Sequence, residues 1–124
     1  MSIFANITSC EHTNAHGEVG FFKITGGSVD TSGFSPCEPV NGGYIVGHSE
    51  SGHNHILEDS DGVAVMERTL DGMKVLYAIL ENPTKLKQSA GAPHKEQVVE
   101  PGEYIITNNQ EYDPFSEQAR RVAD

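Results

Sequence analysis

Tryptophan does not occur among the 124 residues, and phenylalanine and tyrosine together supply only 7% of them. Large aromatic anchors are scarce, so a core has to be built mainly from aliphatic side chains. No run approaches the ~18 apolar residues of a membrane-spanning helix. Basic residues are few: eight Lys plus Arg stand against eighteen Asp plus Glu, for a net charge of −10. A phosphate backbone or an anionic membrane needs a positive counter-surface. The balance therefore gives no nucleic acid and no membrane as partners, and a basic protein surface fits better. Two cysteines, Cys10 and Cys37, do not make a disulfide framework, and two free thiols in a cytosolic product are expected. The opening MSIFANITSC has neither a basic n-region nor a long apolar stretch, so no secretory signal is expected. G-x-G-x-x-G, P-loop and G-x-S-x-G strings are also missing, which removes the usual signatures of dinucleotide binding, phosphate cradling and the nucleophile elbow.

What is present reads as one mainly β domain over residues 1–124, of 13.4 kDa. Short runs rich in Val, Ile and Tyr alternate with Gly and Pro punctuation. Strands are expected over Glu18–Thr25, Tyr44–His48, His53–Glu58, Val63–Leu70, Met73–Glu81, Glu96–Val99 and Glu103–Asn108. The spacing predicts a small antiparallel β-sandwich or barrel. Asp71-Gly72 is a two-residue hairpin signal that pairs Leu70 with Met73 and Met66 with Tyr77. Asp59 to Gly62 is expected to close a second hairpin, setting His55 against Met66 and His53 against Arg68. That would make a central three-stranded unit, with His53, His55 and Leu57 on the face of Met66, Val75, Tyr77 and Ile79. Pro101-Gly102 suits a type II turn. Residues 1–16 read as an N-terminal arm and Thr31–Pro39 as an irregular loop. At the other end, Asp113-Pro114 is a helix start, and Phe115, Ala119 and Val122 recur at helical spacing. A helix over 113–123 is too short to hold itself in water and must dock, with Phe115, Arg120 and Arg121 as its interaction residues.

The string Gly47 to Leu57 holds the strongest chemical signal. Residues two apart on a strand share a face, so His53 and His55 can reach one ion, with His94, His48 or Glu50 as a further ligand. Such a set suits Zn or Fe and resembles the His-x-His of cupin barrels. The downstream Gly-rich cupin signature does not follow. The competing reading is that these imidazoles hydrogen-bond a Gly-rich turn. Cys10-Glu11-His12 with His16 has ligand types but lies in irregular sequence. Asp59 and Asp61 lack the other ligands of a calcium loop. Lys85, Lys87 and Lys95 read as a solvated basic cluster in an interstrand loop.

The Gly47–Leu57 string, Pro93-His94, the Pro101-Gly102-Glu103-Tyr104 turn and the closing Glu111–Phe115 element together resemble a group of short β-rich proteins from tailed-phage and bacterial genomes, over roughly residues 16–124. The resemblance implies a virion context. With the acidity and the docking helix, it gives the leading expectation: a non-enzymatic structural module such as a capsid decoration (cement) protein. That module would be a homo-oligomer, with a trimer favoured, bound to a major capsid protein and located in the virion. If the gene is not phage-borne, the cytoplasm is expected. The alternatives are a cupin-like metal-binding enzyme using His53, His55 and His94, and a small bacterial adaptor that binds one protein.

Overall fold

A computed structural model describes residues 6–16, 19–48, 54–70, 72–88 and 96–107. Those residues form ten strands: β1 Ile7–His16, β2 Val19–Gly27, β3 Ser35–Pro36, β4 Gly43–His48, β5 Asn54–Glu58, β6 Val63–Leu70, β7 Met73–Leu80, β8 Thr84–Gln88, β9 Gln97–Val99 and β10 Gly102–Thr107. They make two antiparallel sheets, a six-stranded one in the order β1-β2-β10-β7-β6-β3 and a four-stranded one in the order β4-β5-β8-β9. Among the described residues no helix is long and apolar enough to cross a membrane. The expected C-terminal helix over 113–123, with Phe115, Arg120 and Arg121, lies outside the described residues.

The Asp71-Gly72 signal acts as read. Leu70 pairs with Met73, Met66 with Tyr77 and Ala64 with Ile79, and Gly72 has a φ of +81°. Because Cβ atoms alternate along a strand, β7 sends Leu76, Ala78 and Leu80 to one face and Val75, Tyr77 and Ile79 to the other. The first set joins Val19, Phe21, Val65, Tyr104 and Ile106 of the same sheet. It meets Tyr44, Val46, Leu57, Leu86 and Val99 of the four-stranded sheet in one core. Each Val, Leu, Ile or Phe among them, once fully buried, contributes ~1.5–3 kcal/mol of transfer free energy.

The second hairpin does not form. Ser60 to Val63 is a turn, with Val63 N–H donating to Ser60 C=O at 3.2 Å, but it carries the chain from one sheet to the other. β5 pairs with β4 and β8 instead of β6. His55 and Leu57 therefore face the shared core and not the Met66–Tyr77 surface, and the three-stranded unit does not exist. A four-residue turn fixes where the chain reverses, whereas the choice of sheet rests on pairings far away in sequence. Pro101-Gly102 is likewise a crossing from β9 in one sheet to β10 in the other, and Gly102 has a φ of +151° rather than the ~+80° of a type II turn. The Tyr104 hydroxyl pins that corner by donating to Glu100 C=O at 2.6 Å.

Several elements depart from the sequence expectation, the first being β3, a short strand inside the expected Thr31–Pro39 loop. Residues Ile7–His16, read as part of an arm, form β1 along the edge of β2. Lys85 and Lys87 of the expected lysine loop lie in strand β8, exposed, with Thr84 and Leu86 buried in alternation with them, and Lys95 lies outside the described residues. Asn41-Gly42 makes a tight turn of its own, with φ values of +51° and +80° and reciprocal Val40–Gly43 backbone bonds, as a type I′ turn requires.

The six-stranded sheet is apolar on both faces. Its outward face carries a second cluster of Phe22, Val75, Tyr77 and Ile105, all at most 5% exposed. The Ser28–Phe34 segment lies over part of it, with the Phe34 ring edge-on to Tyr77 at 6.2 Å. The His12 ring stacks on Phe22 at 4.8 Å. Both edges of this sheet are poor templates for further pairing. β1 carries register shifts along its length, and β3 is two residues long and ends in Pro36.

Candidate functional site

Of the predicted metal set, His55 is the member the structure describes. His53 and His94 lie outside the described residues. His55 follows the inward phase of β5, next to Leu57, and is wholly buried. Its strand neighbours are Gly47 on β4 and Gln88 on β8. Gly47 brings no side chain to that flank, which leaves room for an imidazole in a packed interior. Residues 49–53 join the paired ends His48 and Asn54, and residues 89–95 follow Gln88. The segments bearing Glu50, His53 and His94 thus start from the end of the four-stranded sheet that holds His55. Among the described residues no group of three His, Cys, Asp or Glu side chains is placed to hold a metal ion. Cys10 and His12 alternate with Glu11 along β1, so strand geometry sends the acid to the opposite face.

A polar site that sequence reasoning did not single out sits where β3 meets β6 and β7. The Cys37 thiol donates to Glu67 Oε2 at 3.3 Å. Lys74 Nζ lies 3.0 Å from the same oxygen. Burial, then the adjacent Glu67 carboxylate, pushes the Cys37 thiol up to about 12. The hydrogen bonds from Lys74 and Cys37 hold Glu67 below the usual carboxylate range. On the neighbouring position, Arg68 Nη1 donates to Ser32 C=O at 2.7 Å. Ser32 N–H in turn donates to Asp30 Oδ1 at 3.0 Å, and this bond lowers the Asp30 pKa. Gly33, Ser35, Glu67, Arg68, Thr69 and Lys74 line a cleft of about 180 Å³. The available signal was Glu67 four places before Asp71 and Lys74 two places after Gly72, an acid and a base that the hairpin brings to one face near the end of the sheet.

No curated protein and no solved structure matches the chain. A family model described as a domain of unknown function, DUF8820, matches residues 15–109. The match begins within β1 and runs past the end of β10, so it takes in both sheets and the shared core. The chain belongs to the DUF8820 family.

Proposed function

We propose that the protein is a non-enzymatic assembly module, a capsid decoration (cement) protein of a phage particle. The observation that carries this reading is the set of half-buried apolar side chains, Ile24, Met66, Leu70 and Ile79, at the rim of the covered cluster on the outward face of the six-stranded sheet. One core between two sheets satisfies a chain of this size. Apolar side chains left half-buried at that rim suit contact with other chains. The acidity adds a second reason, since a surface carrying −10 is attracted to a basic shell protein. In this reading the paired sheets are a β-sandwich and residues 113–123 form a helix that docks through Phe115, Arg120 and Arg121. The assembly is a homo-oligomer, a trimer on a capsid symmetry axis, with the major capsid protein as partner and the virion as location. Light scattering tests it through the mass in solution, and a wash of particles tests the attachment. A trimer that binds particles and is released by high salt is expected. A monomer that binds no particle would overturn the reading.

His55 favours a second reading, a metal-binding enzyme with His53, His55 and His94 holding Zn or Fe. Its support is a buried imidazole at the sheet end from which the other two segments start. Metal analysis of the purified protein tests it: about one Zn or Fe per chain is expected, lost in His55→Ala. A metal-free protein that takes up neither ion on addition would overturn it.

A further inference from the structure

We infer that copies of the chain meet through the outward face of the four-stranded sheet. The inference rests on the homo-oligomer proposed above and names the surface it uses. Tyr44, Leu57, Leu86 and Val99 point into the shared core, so alternation along the strands sends Ile45, Ile56, Lys85, Lys87 and Val98 to the other side. The register lines these residues up. Ile45 stands opposite Ile56, Ile56 opposite Lys87, and Lys85 opposite Val98. Ile56 also leans over Gly43, where an added Cβ would collide with Ile56 Cγ2. The missing side chain thus lets an isoleucine lie across β4 and carries the apolar cover to the edge of the sheet. Ile45 and Ile56 are half-buried, and Val98 is 51% exposed. Apolar side chains set in rows on one face suit burial against a second surface.

Charge selects a second copy as the occupant. The chain carries −10, so two copies repel wherever acid meets acid. This face is balanced instead. Lys85 and Lys87 stand on it with Glu58, which shares the phase of Ile56, and with Glu96, whose Oε1 lies 3.6 Å from Lys85 Nζ. Two bases and two acids make a surface complementary to its own copy, lysine to carboxylate. The Lys85–Glu96 pair is half-exposed, at 58% and 50%, so little holds it against an exchange of partners. The charge argument holds for two faces stacked or for three closed around an axis. A basic shell protein is drawn to the acid-rich remainder of the molecule and would meet two lysines here. Contact between copies and contact with a shell therefore fall on different surfaces.

The test uses the full chain and reads its mass by light scattering over a dilution series. Two charge-reversed chains are made, Lys85→Glu with Lys87→Glu, and Glu58→Lys with Glu96→Lys. Each alone sets like charge against like, so association is expected to need at least about tenfold more protein. Mixed in equal amounts, the two should recover the mass of the natural assembly. The second variant makes the chain as a whole less acidic, so general repulsion would strengthen its association rather than weaken it. Unchanged Tm shows that each variant is folded. Val98→Asp breaks the apolar part of the contact and is expected to give the same loss should a double variant fold poorly. An assembly that survives both reversals overturns the inference, as do variants that separate but fail to recombine, or a natural chain that stays monomeric at every concentration. Particle binding is measured on the same chains. A natural chain that assembles through this face but binds no particle overturns the decoration reading and upholds the inference.

Discussion

Gly72 shows how far one residue can commit the chain. Its φ of +81° is a conformation that a β-branched side chain tolerates badly. Gly72→Val is expected to destabilise the protein by at least ~1 kcal/mol in urea unfolding, although no neighbour lies within 4 Å of an added Cβ. The cost comes from the backbone and not from a clash. Cys37 makes a second case, this time through its surroundings. Its thiol is pushed from an ordinary 9.0 up to about 12 by burial and by Glu67. At pH 8 it should react slowly with a thiol reagent, and much faster once urea unfolds the chain. Glu67→Gln removes the neighbouring charge, lowers the thiol pKa and speeds labelling of the folded protein. The same shift affects stability. Below pH 9 both states hold the proton and the thiol is neutral to folding. Between about 9 and 12 the unfolded chain loses the proton while the folded one keeps it, so stability falls as pH rises. Urea midpoints at pH 8 and 10.5 should diverge more for the natural chain than for Cys37→Ser.

At the level of strands, the outward face of the six-stranded sheet is the feature to probe. Ile105 sits between Phe22 and Tyr77 and is fully buried. Ile105→Ala should cost ~2–5 kcal/mol, as a core truncation does. Denaturant unfolding checks it, and a loss under ~1 kcal/mol would mean that the cluster is only loosely covered. Legibility also divides by strand. The β6–β7 hairpin could be read because its two strands and its turn are contiguous, and Asp-Gly sets the register locally. β8 is hard to read because Thr84 and Leu86 alternate with lysines that mask them, although Thr-Lys-Leu-Lys has the period of two. β1 offered no such pattern. It is an edge strand with polar residues, whose partner supplies the apolar side chains. The candidate metal string gave the right phase for His55 but the wrong neighbours, because inward or outward was decided by a sheet that the turn could not specify. The cleft beside Glu67 and Lys74 also depends on β3, two residues long and held by long-range bonds, which the Asp71-Gly72 turn alone does not announce.

Taken whole, the molecule closes its large sheet with its last described strand. β10 lies between β2 and β7 and bonds both, with Tyr104 opposite Lys23 on one side and Ala78 on the other. Such distant pairings must be reached before they are rewarded, so refolding from urea should take milliseconds to seconds in stopped-flow measurements. Microsecond folding would contradict this topology. The arrangement also matters while the polypeptide is being synthesised. The β1–β2 and β6–β7 hairpins leave the ribosome as separate pieces, each with one strand edge unfilled until residues 102–107 emerge. A product that terminates before that point keeps two open edges and an uncovered apolar surface, the conditions under which nascent chains associate wrongly or are degraded. Premature termination in this gene therefore yields no partly useful shorter protein, and the cell's quality control meets the open edges of β2 and β7 first.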